Sequence, residues 1–70
     1  MRIYDVFGGA EYRATVCVQD DGRKVWTFDP QWKDFWVDAD KQKMIEQAIS
    51  HDPNTAILSV EGFTVKHRSV

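Results

Sequence analysis

Residues 11–28 read EYRATVCVQDDGRKVWTF, and this stretch decides the fold. From Glu11 to Gln19 the side chains alternate. Tyr12, Ala14, Val16 and Val18 fall on one side, and Glu11, Arg13, Thr15, Cys17 and Gln19 on the other. That is the period-two pattern of a strand with one buried face. Asp20-Asp21-Gly22 then suits a three-residue hairpin loop that ends in a left-handed glycine. Such a loop pairs Gln19 with Arg23, and therefore Val16 with Trp26 and Ala14 with Phe28. A two-residue loop would set Val16 opposite Thr27 and turn both aromatic rings onto the polar side. The hydrophobic pattern selects the longer loop.

The same reasoning applies toward the C-terminus. A two-residue Glu61-Gly62 turn pairs Val60 with Phe63 and Leu58 with Val65, which puts four apolar side chains on one face. Ser59, Thr64 and Lys66 take the other face, with Ile57 as the exception. Toward the N-terminus two registers fit. A Gly8-Gly9 loop turns Ile3 and Phe7 inward. A Gly8-Gly9-Ala10 loop turns Tyr4 and Val6 inward and sets Asp5 opposite Arg13.

Between the hairpins the period changes. Asp29-Pro30 can open a helical turn, because Asp caps and Pro fits the first helical position. Trp32, Phe35, Trp36 and Ala39 follow at helical spacing. A second stripe, Met44, Ile45, Ala48 and Ile49, is out of phase with the first. The pattern predicts a short helical turn over 30–36, then a main helix over about 39–51 capped by Asp38 or Asp40. His51-Asp52-Pro53-Asn54 ends it. The expected architecture is α+β, a single domain over residues 1–70. An antiparallel sheet of about five strands, in the order βββαββ, carries one main helix on one face.

Composition narrows the class. The chain has 70 residues, 43% hydrophobic and 29% charged, a globular rather than a disordered balance. A domain this small buries only about 60% of its unfolded surface, so its stability margin is thin. The single cysteine, Cys17, leaves no internal disulfide to compensate and points to a reducing compartment. Met1–Phe7 lacks the apolar run of a signal peptide. No stretch approaches the ~20 apolar residues of a membrane helix. The expected location is cytoplasmic.

The net charge is -2. Residues 1–40 carry five Lys/Arg against eight Asp/Glu, and residues 41–70 carry four against three. Nucleic-acid binders normally show a basic excess, so this balance counts against that class.

Catalytic chemistry finds little to work with. Cys17, His51 and His67 are far apart in sequence and match no nucleophile–base motif. Two histidines and a distant cysteine make no metal-ligand pattern. Gly8-Gly9 lacks the Lys and the following helix of a phosphate loop. The reading is non-catalytic, with no cofactor and no metal.

The unusual feature is aromatic. Trp26, Phe28, Trp32, Phe35 and Trp36 lie within eleven residues. Register gives Trp26 and Phe28 places in the core. The other three have a stripe that the main helix does not share. These three either fill the core or, with Asp34, Asp38 and Asp40 around them, compose a docking segment: ring anchors inside an acidic rim that steers toward a basic partner surface. The expected function is a small protein-binding module, an inhibitor or adaptor of the phage or mobile-element kind, such as anti-CRISPR or anti-restriction proteins. Its partner could be a nucleic-acid-handling complex.

Two alternatives compete. Arg13, Arg23 and Lys24 lie on the outer side or rim of the second and third strands, where such a face can enter a major groove. The stretch Tyr12-Arg13, then Gly22-Arg23-Lys24-Val25-Trp26-Thr27-Phe28-Asp29, faintly resembles βββα DNA-binding domains of the integrase arm-binding type. The likeness covers under a third of the chain and lacks the basic density of that class. It implies direct nucleic-acid contact through the three cations. The remaining alternative is a homo-oligomer that hides spare aromatics or a bare sheet edge.

Overall fold

The computed structural model describes residues 1–31 and 39–68. Five strands and one helix follow in order: β1 (Arg2–Gly8), β2 (Glu11–Val18), β3 (Lys24–Phe28), α1 (Ala39–His51), β4 (Ile57–Val60) and β5 (Phe63–His67). The strands form one antiparallel sheet in the order β3-β2-β1-β5-β4. The class is α+β, with α1 across one face.

The middle hairpin has the expected register, with Val16 opposite Trp26 and Ala14 opposite Phe28. Gln19 N donates to Arg23 O at 2.8 Å, and Gly22 takes φ 90° to close the three-residue loop. The Asp21 carboxylate accepts from the Arg23 N–H at 3.0 Å and braces the turn. The last hairpin is also as expected, with Val60 opposite Phe63 and Leu58 opposite Val65.

The first hairpin follows neither of the two registers. Gly8 pairs with Glu11, so the loop is Gly9-Ala10, and Gly9 at φ 62° sits at its first position. A β-bulge between Val6 and Phe7 then shifts the ladder, because Val6 faces Ala14 while Phe7 faces Tyr12. Arg13 is the extra residue. The bulge lets a two-residue loop coexist with Tyr4 and Val6 pointing inward. Asp5 accordingly lies opposite Thr15, not Arg13.

Tyr4, Val6, Ala14, Val16, Val18 and Val65 from the sheet and Ile45 and Ile49 from α1 form the core, none more than 4% exposed. Trp26, Phe28, Leu58, Val60 and Phe63 pack around it. Ile45 and Ile49 stand one turn apart and face the sheet together. Met44 does not join them and is 43% exposed. One helix on a sheet needs only a narrow apolar stripe, and Met44 falls to its side. Tyr4 is sealed in, yet its hydroxyl donates to Pro53 O at 2.7 Å, which ties β1 to the chain leaving α1. The predicted turn over 30–36 falls largely outside the described residues.

Truncating Ile49 to Ala removes a fully buried side chain and is expected to cost about 2–5 kcal/mol, whereas Ile57→Ala on the exposed surface should cost under about 1 kcal/mol. Urea unfolding measures both. In the β4–β5 turn Glu61 is forced to φ 50° beside Gly62 at φ 83°. Glu61→Asn relieves that left-handed strain and should raise stability by about 0.5–1 kcal/mol.

Candidate interaction surfaces

Among the described residues, nothing covers the face of the sheet opposite α1. Its central row reads Thr27, Thr15, Asp5, Lys66, Ile57 across the five strands. Asp5 is the hub. Its carboxylate accepts from Arg68 Nη2 at 2.6 Å, Arg68 Nε at 3.1 Å and the Thr15 hydroxyl at 2.9 Å. Tyr12 Oη lies 2.6 Å from Thr15 Oγ1 and extends the chain of hydrogen bonds. Beside this network Phe7 meets Tyr12 edge-on at 6.0 Å, and Lys66 Nζ sits 4.9 Å over the Phe7 ring. Apolar side chains mark the two rims. Val25 on β3 is 47% exposed and Ile57 on β4 is 59% exposed.

The Asp5 carboxyl titrates below the usual aspartate range. The Arg68 hydrogen bond is the main cause; partial burial opposes it, and the Thr15 hydroxyl and the Arg68 charge reinforce it. Asp5 in turn raises the Arg68 guanidinium.

The other side of the sheet holds a cleft of about 460 Å³ between β3 and α1, lined by Lys24, Lys43, Glu46, Gln47, Ser50 and His51. Lys24 reaches it because Lys24 is paired with the core residue Val18 and shares its face. Glu46 is held there by Trp26, whose Nε1 donates to its carboxylate at 2.7 Å.

The residues singled out in the sequence are distributed as follows. Trp32, Asp34, Phe35, Trp36 and Asp38 lie outside the described residues. Asp40 is exposed in the first turn of α1. Arg13, Arg23 and Lys24 do not share a face. The Arg13 guanidinium lies over Gly8, within 2.8 Å of where a Cβ would stand. Arg23 is at the hairpin tip, 3.2 Å from Asp21. Lys24 points to the helix side. The trio expected on the outer side or rim is thus dispersed: the bulge re-aims Arg13, and pairing with Val18 sets Lys24 on the helix side. Cys17, His51 and His67 are likewise apart. Cys17 is on the uncovered face, opposite Ile3 and Val25. His51 is in the cleft. His67 stacks on the Tyr4 ring at 4.6 Å.

Neither the Asp5 hub nor the cleft was visible in the sequence. Asp5 and Arg68 are 63 positions apart, and Lys24 and Lys43 meet only through the crossing of α1 over β3. No helix among the described residues is long and apolar enough to cross a membrane. No family model, curated protein or solved structure matches the chain.

A folded-state pKa below the unfolded one stabilises at pH values above the unfolded pKa, and that contribution fades as pH falls through the lowered value. Asp5→Asn should therefore be less stable than wild type at pH 7. The gap should close progressively below about pH 4, where aspartates protonate in the unfolded chain. Urea midpoints across that range check it, and a gap independent of pH would assign the loss to packing.

Proposed function

We propose that this domain is a small non-catalytic protein-binding module, of the inhibitor or adaptor kind, that docks on a basic partner surface through residues 32–40. The observation that carries this reading is where the chain enters and leaves that segment. Pro30 and Gln31 before it, and Ala39 and Asp40 after it, are all exposed. The described residues on either side of the stretch bearing Trp32, Phe35 and Trp36 are thus at the surface. Tryptophan is among the residues that dominate binding hot spots, and two of the chain's three fall in this segment. Asp34, Asp38 and Asp40 supply a field that accelerates encounter with a cationic groove, such as that of a nucleic-acid-handling complex. Inhibitors carried by phages and mobile elements, anti-restriction and anti-CRISPR proteins among them, act by such occlusion, and a 70-residue chain fits their scale. The exposed Val25 and Ile57 at the rims of the uncovered sheet favour one further reading, self-association, which light scattering across a concentration series separates from the first.

Affinity capture from the native host tests the proposal. Wild-type protein should retain a partner that Trp32→Ala and Trp36→Ala lose by tenfold or more, on the order of the 2 kcal/mol hot-spot threshold. Retention should also weaken as salt rises, because such charges act over only ~8–10 Å at physiological ionic strength. Capture that survives both substitutions and high salt removes the segment from the interface.

A further inference from the structure

The three ion pairs among the described residues use the N-terminal ammonium with Asp20, Arg23 with Asp21 and Arg68 with Asp5. Lys24 and Lys43 have no acidic partner among the described residues, yet both line the same cleft. Arg2 adds to their field. It is paired with Val18, which is paired with Lys24, so it stands two strands over in the same row. The acids nearest in sequence to Lys24 are engaged elsewhere, Asp20 with the N-terminus and Asp21 with Arg23. Among the described residues one carboxylate lines the cleft, Glu46, which accepts the Trp26 indole N–H and keeps its negative charge. Two ammonium groups therefore face one cavity in a chain whose overall charge is negative.

We infer that this cleft binds a small phosphate monoester. Charge matching selects it. A monoester carries close to two negative charges at neutral pH, whereas each phosphodiester of a nucleic-acid backbone carries one; Lys24, Lys43 and the neighbouring Arg2 outnumber the Glu46 carboxylate by two. Lysine binds phosphate as a point charge, without a planar fork. Gln47 and Ser50 add an amide and a hydroxyl, the convergent polar groups that orient a bound molecule. The volume of about 460 Å³ lies within the range of small-molecule sites, roughly 300–1,000 Å³, and exceeds what a bare phosphate fills. The site shares no residue with segment 32–40 and stands whether or not that segment docks on a protein.

Amide chemical shifts of labelled full-length protein, followed at low ionic strength during titration with inorganic phosphate, adenosine monophosphate and a short oligothymidylate, test it. The two phosphates should move the amides of Lys24, Lys43, Gln47 and Ser50. Lys24→Ala with Lys43→Ala should weaken that binding by at least roughly tenfold, since each charged hydrogen bond lost is worth about that factor. Unchanged shifts across β1 and β5 confirm the variant is folded. Stronger binding of the nucleotide than of phosphate identifies an organic monoester; equal binding identifies the free anion. An absence of shifts, or shifts that persist in the double variant, overturns the site. Tighter binding of the oligothymidylate at the same amides overturns it in favour of a nucleic-acid interface.

Discussion

Two isoleucines one helical turn apart, Ile45 and Ile49, hold the molecule together by closing over the inward row of a five-stranded sheet. All else depends on that row being uninterrupted. Tyr4, Val16 and Trp26 lie side by side across three strands, and Val6, Ala14, Phe28, Val65 and Leu58 span all five. Each fully buried aliphatic side chain is worth about 1.5–3 kcal/mol. A slip of one residue in any hairpin would send a whole strand's contribution to the other face. Three turns of different geometry, Gly9-Ala10 with its bulge, Asp20-Asp21-Gly22 and Glu61-Gly62, satisfy this one requirement in three ways. The strain at Glu61 is a local cost that the register of β4 and β5 outweighs.

A sheet covered on one side must make its other side tolerable to water. Here the centre of the uncovered face is a hydrogen-bonded network around Asp5, and apolar exposure is pushed to the rims at Val25 and Ile57. Charge at the centre interrupts what would otherwise be a continuous apolar patch. It also makes pairing with another sheet less favourable, a recognised protection for open β-structure. The same network anchors the chain end, since Arg68 holds Asp5 with its side chain and Ile3 O with its backbone N–H at 2.8 Å. The Asp5 cluster is thus first a folding device. The cleft between β3 and α1 differs, because among the described residues its two lysines are not tied to any acid that would explain their convergence.

Much of this architecture could be read from residue order. The alternation from Tyr12 to Val18 and the Gly22 turn specify the middle hairpin, and the Glu61-Gly62 turn specifies the last. The apolar spacing of Ile45 and Ile49 places α1, whose observed limits of Ala39 and His51 match the predicted ones. The first hairpin resisted, because Gly8-Gly9-Ala10 offers several loops and a bulge adds a residue that no alternation rule anticipates. That single bulge re-aimed Arg13. Lys24 was misplaced for a related reason: polar character suggests an outward position, yet its partner Val18 fixes it on the helix side, at the margin where a long side chain can reach water.

Local sequence, then, determined the elements, two of three turns and the inward face of the strands those turns join, since hydrophobic periodicity and turn chemistry act between near neighbours; the inward face of β1 was settled only by the bulge. Tertiary structure decided the strand order, the Asp5–Arg68 hub and the meeting of Lys24 with Lys43. These join groups between 19 and 63 residues apart. Their meeting depends on how α1 crosses the sheet and how β5 comes to lie beside β1. Neither is encoded in the spacing of residues along one strand or one helix. Both are set by the demand that one small helix shield as much of a single sheet face as it can.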